Sequence, residues 1–156
     1  MTAEIEDPLR LERQVCFALA VANRSVLAVY RPLLEPFGLT HPQYLVMLAL
    51  WGEAPMSVKA IAEAIQLDSP TLSPLLKRLE GAGLVTRRRD PGDERTLVVD
   101  LTEAGRSLRR EAERIPPAVV ERLGVGLGDL EELREVLGRV NEAARRAALA
   151  YPENRS

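Results

Sequence analysis

The sequence is poor in the residues that carry most covalent and metal chemistry. It holds one cysteine, Cys16, and one histidine, His41. A single cysteine excludes an intrachain disulfide and a cysteine-cluster zinc site. A single histidine argues against a His-based metal site or a His-paired nucleophile within one chain, so no metal or cofactor is expected. No run of eighteen uncharged apolar residues occurs, and no spanning helix is expected. The segment from Met1 to Pro8 is acidic and has no signal-peptide pattern, which points to the cytoplasm and to no membrane partner. What remains is ordinary for a globular chain. Apolar residues make up 46% and charged residues 28%, which rules out disordered and collagen-like classes. A length of 156 residues suits one domain, or one domain with a helical appendage.

The net charge is only −2, but the charge is unevenly placed. Between Lys77 and Arg89 stand Lys77, Arg78, Arg87, Arg88 and Arg89, against the one acid Glu80. The ends are acidic instead, with Glu4, Glu6 and Asp7 at one and Asp129, Glu131, Glu132 and Glu135 at the other. A basic patch on a near-neutral chain is a better sign of phosphate contact than total charge is. Taken alone, a charge run is more simply a solvated face.

Periodicity and punctuation give the organisation. Residues from about Leu9 to Glu35 read as one long helix, apolar on every side from Val15 to Ala22, which implies burial all round. So short a chain hardly encloses such a helix alone, and a second copy is expected to cover it. Thr40 caps a second helix, with Pro42 in its first turn and Gln43 as capping-box partner. Ser57 caps a third, with Val58, Ile61, Ala62 and Ile65 inward. A fourth, from Ser69 to about Glu80, places Leu72, Leu75, Leu76 and Leu79 on one face. Its other face carries Ser73 and Lys77, flanked by Thr71 and Arg78. Pro74 removes one helical hydrogen bond and implies a slight bend. Leu84 to Arg89 and Thr96 to Leu101 read as two strands joined through a Pro-Gly turn. Thr102 caps a fifth helix, interrupted at Pro116-Pro117, and a last helix carries an apolar stripe from Leu127 to Ala147.

This order predicts a mainly α fold with a small β-hairpin wing (α+β): a winged helix-turn-helix with a helical dimerisation region. Residues 1–38 form the N-terminal dimerisation helix, 39–101 the winged DNA-binding domain and 102–156 the C-terminal dimerisation helices. The fourth helix fits a recognition helix, with Ser69, Thr71, Ser73, Lys77 and Arg78 turned toward phosphates and base edges. The hairpin fits a wing. Arg87, Arg88 and Arg89 enter its turn and Arg95 leaves it, placed for a minor groove, with Asp93 positioned to hold the Arg95 guanidinium. A cation site at Asp90, Asp93 and Glu94 is disfavoured, because a hairpin turn offers too few convergent oxygens.

The run from Leu79 through Glu80, Gly81, Ala82, Gly83, Leu84, Val85 and Thr86 to Arg87, then Asp93-Glu94-Arg95 and Leu101-Thr102-Glu103-Ala104-Gly105, resembles the MarR family of dimeric winged-helix regulators over nearly the whole chain. Within it, Cys16-Phe17-Ala18-Leu19, Tyr30-Arg31-Pro32-Leu33-Leu34, Pro42-Gln43-Tyr44-Leu45-Val46-Met47 and Leu75-Leu76-Lys77-Arg78-Leu79 are similar to the organic-hydroperoxide sensor branch, the OhrR type. The resemblance implies that Cys16 is the peroxide-reactive residue and that tyrosines hydrogen-bond it across the dimer. Tyr30 matches the first of these. His41 stands where the second is expected, and Ala20 where some members carry a third. Tyr44 is a further candidate donor from the other subunit.

The expected function is therefore a homodimeric transcriptional regulator, a repressor, on a pseudo-palindromic operator in double-stranded DNA. An organic hydroperoxide is the oxidant, Cys16 becomes a sulfenic acid, and the lasting form is a mixed disulfide with a small cellular thiol, or an overoxidised sulfur. The chief alternative is a regulator of the same fold released by a non-covalent aromatic or acidic ligand, with Cys16 structural; a lone cysteine on an apolar helix is usually an inert small hydrophobe. A helical enzyme is disfavoured for want of a nucleophile–base pair or metal set, and an adaptor would not need arginines on a hairpin.

Overall fold

The computed structural model describes residues 7–150. The acidic residues Glu4 and Glu6 of the terminal reading lie outside that range. The chain divides into two compact units, Met1–Pro116 and Pro117–Ser156.

The first unit opens with a short 3-10 turn, Leu11–Arg13, followed by α1, Val15–Leu34. The expected single helix from Leu9 is broken at Gln14, whose backbone is extended (φ −80°, ψ 119°). The Gln14 side-chain amide donates to the carbonyls of Pro8 and Arg10 at 2.9 and 3.0 Å, so local side-chain bonding wins over helix propagation here. Many apolar side chains of α1 stand exposed on the single chain, Val15 at 64% and Phe17 at 41% among them. By length and composition the 23 residues Val15–Phe37 are long and apolar enough to cross a membrane, although Arg24, Arg31 and Glu35 interrupt them.

A second 3-10 turn, Glu35–Phe37, ends on Gly38 in the left-handed region (φ 65°). Helix α2, His41–Glu53, starts on a complete capping box. Gln43 N–H donates to Thr40 Oγ1, and Thr40 N–H donates to Gln43 Oε1. Strand β1, Met56–Ser57, leads directly into α3, Val58–Ile65, where Ser57 Oγ accepts the Ala60 N–H at 3.0 Å. Helix α4, Ser69–Gly81, is capped by Asp68, which accepts the Thr71 N–H at 2.7 Å. The wing is β2, Val85–Asp90, and β3, Asp93–Leu101, with a turn of just Pro91 and Gly92, tighter than the expected loop. Both hairpin strands begin or end nearer the tip than the hydrophobic pattern indicated, since the tip residues are polar on both faces. The sheet is antiparallel in the order β1-β3-β2, and Met56 pairs with Val99.

The core lies between α2, α3, α4 and the base of the wing. Val46, Met47, Ile61, Leu72, Leu76 and Val99 are all but inaccessible. Helix α5, Glu103–Ala112, begins at Thr102, which fastens three segments. Its Oγ1 donates to the Gly83 carbonyl at 2.6 Å and accepts the Gly105 N–H at 3.0 Å, while its own N–H donates to Leu84 O at 3.0 Å. The Trp51 indole donates to the Gly105 carbonyl at 2.9 Å and ties α2 to α5. Gly105 has no room for a side chain, because a Cβ there would overlap the Leu84 carbonyl.

The break before the next helix falls at Glu113-Arg114, and Pro116 and Pro117 lie in the first turn of α6, Ile115–Leu123. Prolines there delete N–H groups that have no helical partner in any case. In the second unit, α7, Leu127–Ala150, has no buried residue. Leu127, Leu133, Val136, Leu137 and Val140 of its apolar stripe are exposed.

Candidate functional site

Two groups of side chains come out of this scaffold. The first is one polar and basic surface on α4 and the wing. The four leucines of α4 fix its orientation, since Leu72, Leu76 and Leu79 are at most 1% exposed and Leu75 is also buried. The opposite face is then set outward. Ser69, Thr71, Ser73, Lys77 and Arg78 are all exposed. A helix held by an apolar stripe, presenting short hydroxyls and basic side chains, has the dimensions and chemistry of a major-groove reader.

The wing arginines divide into two kinds. Arg87 is half-buried, and its guanidinium meets the Glu80 carboxylate at 3.3 Å. That hydrogen bond and charge hold the Glu80 carboxyl below its ordinary range. Arg89 donates to the Glu94 carbonyl at 2.7 Å and braces the tip. By contrast Lys77, Arg78, Arg88 and Arg95 make no side-chain hydrogen bond or ion pair among the described residues. Asp93 does not hold the Arg95 guanidinium as expected. It accepts the Arg95 backbone N–H at 3.0 Å and the Thr96 hydroxyl at 3.2 Å, and so shapes the turn from which Arg95 projects. Sequence reasoning had no means of assigning partners to Arg87 and Arg89, because those follow from strand register and the approach of β2 to α4. Asp68, just before α4, is a capping residue of the kind that marks a helix start. The Thr71 hydrogen bonds hold its carboxyl below the ordinary range.

The second group is the cysteine and an aromatic cluster. Cys16 is exposed and is the second residue of α1, not two turns inside a helix. It therefore lies at the end where unpaired backbone N–H groups carry positive partial charge. Tyr30, His41 and Tyr44 meet one another. The Tyr30 and His41 rings are edge to face at 4.9 Å between centroids, and Tyr44 lies 6.1 Å from each. The α2 capping box fixes His41 at the first helical position. Burial pulls the His41 imidazole below its ordinary value, and burial with the nearby Tyr30 pushes Tyr44 up. Cys16 is 14 residues before Tyr30 on the same helix. At 1.5 Å per residue that separates them by about 21 Å. One chain does not bring the sulfur to these rings. Beside His41 an open groove of about 550 Å³ is lined by Leu27, Arg31, Leu34, Glu35, Leu39 and Pro42, among others.

Known proteins are similar to this chain in sequence and fold. The MarR family matches residues 39–97, which span α2 to the wing. The chain is 40% identical over 131 residues to the organic hydroperoxide resistance transcriptional regulator of Bacillus subtilis, covering 84% of this chain and 89% of that one. It is 42% identical over 137 residues to the HTH-type transcriptional regulator TtmR of Methylorubrum extorquens, covering 88% and 70%. The structure of reduced AbfR bound to DNA, a Staphylococcus epidermidis protein, superposes with a TM-score of 0.78 at 32% identity over 91% of this chain and 97% of that one. Identity at this level along nearly the full length, together with an outward-facing α4 and a basic wing, places the chain in the MarR family, as a DNA-binding transcriptional regulator and not an enzyme.

Proposed function

We propose that this regulator is a homodimeric repressor that senses organic hydroperoxide through Cys16. The observation that carries the reading is the placement of Cys16, an exposed sulfur at the positive end of α1, in a chain 40% identical to an organic hydroperoxide resistance regulator. In the dimer, α1 and the apolar stripe of α7 bury against a second copy, and Cys16 of each subunit faces the Tyr30–His41–Tyr44 cluster of the other. The 21 Å between these groups within one chain is what makes a second subunit necessary. The dimerisation segments are residues 1–38 and 102–156, and the DNA-binding domain is 39–101. The protein acts on double-stranded DNA in the cytoplasm.

The two α4 helices enter successive major grooves of a pseudo-palindromic operator, about 34 Å apart. Ser69, Thr71, Ser73, Lys77 and Arg78 supply contacts there, and Arg88 and Arg95 supply them from the wing. The Cys16 thiolate attacks the distal oxygen of the hydroperoxide. The O–O bond breaks, sulfur is oxidised to the sulfenic acid, and the alkoxide leaves as an alcohol after taking a proton. A small thiol then displaces water from the sulfenic acid to give a mixed disulfide. The adduct is too bulky for a packed dimer interface and drives the winged domains off the operator.

A second reading is favoured by the groove beside Arg31 and His41, whose largely apolar walls, with Arg31 and His41 among the lining, suit a non-covalent aromatic or acidic ligand. Intact mass and DNA affinity, measured together before and after stoichiometric organic hydroperoxide with a small thiol, separate the two. The sensor reading expects DNA release in step with a mass gain on Cys16. Release with no mass gain, or a mass gain with no release, contradicts it.

A further inference from the structure

Arg87 lies on a different face of the wing from its neighbours. Side chains along β2 alternate between faces. Val85 is buried and Arg87 half-buried on the inner face, while Thr86 and Arg88 are exposed on the outer one. The inner face runs past the C-terminal end of α4. There Arg87 donates from Nε to Glu80 Oε2 at 3.4 Å and from Nη2 to Glu80 Oε1 at 3.3 Å. Two parallel bonds between planar groups fix direction as well as distance. The Arg87 side chain is 24% exposed, so it is largely withdrawn from solvent and from anything docking on the wing.

The pair also spans a joint. Between Glu80 and Arg87 the chain turns from helix to strand through Gly81, Ala82, Gly83 and Leu84. Gly83 sits in the left-handed region (φ 75°). Gly83 N–H bonds to Glu80 O at 3.0 Å and Leu84 N–H to Leu79 O at 3.1 Å, which fixes the turn; buried Val85 and Val99 hold the base of the wing, and the Glu80–Arg87 ion pair ties α4 to β2 beyond it. We infer that the Glu80–Arg87 pair is a positioning device for DNA recognition: it sets the angle between α4 and the wing, and Arg87 acts through Glu80 and not on a phosphate. A duplex binds tightly when helix and wing arrive already at the spacing of adjacent grooves, because less ordering remains to be done on binding.

The inference opposes simple electrostatics. Glu80 is an acid at the edge of a DNA-facing surface, and neutralising it removes repulsion from phosphates. On charge alone, Glu80→Gln tightens binding. Positioning requires that it weaken binding.

The test uses the full-length protein and two duplexes of equal length, one selected by the parent from a random pool and one unrelated. Affinities of the parent, Glu80→Gln, Arg87→Met and the double variant are measured across a salt series, with thermal melts alongside. Each single variant is expected to bind the selected duplex measurably more weakly, by up to about five-fold per subunit, the upper end for an ion pair near the surface. The double variant is expected to be no weaker than either single one, because both remove the same pair. The salt slope is expected to stay at the parent value, and affinity for the unrelated duplex is expected not to fall. Should Arg87→Met melt too early to assay, Glu80→Gln decides alone, since that change is isosteric. Unchanged or tighter binding by Glu80→Gln overturns the inference. So does a drop in salt slope of about one per subunit in Arg87→Met, which marks a phosphate contact.

Discussion

Replacing Thr102 by alanine tests whether the base of the wing is held as described. The hydroxyl makes two bonds, donating to Gly83 O at 2.6 Å and accepting the Gly105 N–H at 3.0 Å. Losing an N-cap hydroxyl costs about 1 kcal/mol. The Gly83 carbonyl loses its donor as well, which adds about 1 kcal/mol. The Thr102 backbone bond to Leu84 O does not depend on the side chain and survives. The expected loss is therefore about 2 kcal/mol, equivalent to about 4–8 °C in Tm at this chain length. Urea and thermal melts at one fixed protein concentration measure it, because a dimer's stability depends on concentration. Thr102→Ser keeps both bonds and is expected to retain most of the stability. A loss below about 0.5 kcal/mol in the alanine variant refutes the argument. An equal loss in the serine variant also refutes it, by assigning the effect to the methyl group.

Gly105→Ala forces a Cβ into the Leu84 carbonyl and to within 3.2 Å of Leu101 Cδ2, so a loss of about 1–3 kcal/mol is expected in urea midpoints. Gly52→Ala, in α2 with nothing within 4 Å, is the control and is expected to lose nothing. Lys77→Ala and Arg95→Ala are each expected to lower the salt slope of DNA binding by about two per dimer, one contact in each subunit, and an unchanged slope removes that residue from the interface. Burial lowers the folded-state value of His41, so the unfolded chain binds more protons between that value and about 6.5. This contribution to stability is complete above pH 6.5 and is lost as pH falls below it. His41→Phe keeps the ring packing and is expected to lose that pH dependence in melts between about pH 5 and 8; identical profiles for parent and variant count against it.

Much of this was legible in the sequence because capping is local. Thr40 with Gln43, Ser57 and Thr102 each announced a helix start, and the leucine spacing of α4 fixed which face points outward. Family motifs carried the same order of elements. The start of α1 was not legible. Nothing between Leu9 and Val15 is a helix breaker, and the break depends on the Gln14 amide finding two carbonyls. Strand β1 is two residues long and exists through pairing with β3. The basic run looked like five equivalent charges, yet Arg87 is taken up by Glu80 and Arg89 by the Glu94 carbonyl. Those partners follow from strand register, which is a tertiary fact. The Tyr30–His41–Tyr44 contact likewise needs the angle at which α1 meets α2.

The central claim is that the sulfur of Cys16 converts hydroperoxide into release from DNA. Cys16→Ser is nearly isosteric, and residues 16 and 77–95 lie in separate elements. Fold and DNA affinity are therefore expected to match the parent. The decisive measurement is the fraction of a selected operator duplex still bound after organic hydroperoxide and a small thiol are added to each protein. The account predicts that the parent dissociates and Cys16→Ser stays bound. Equal release of both proteins contradicts it and assigns regulation to a non-covalent ligand.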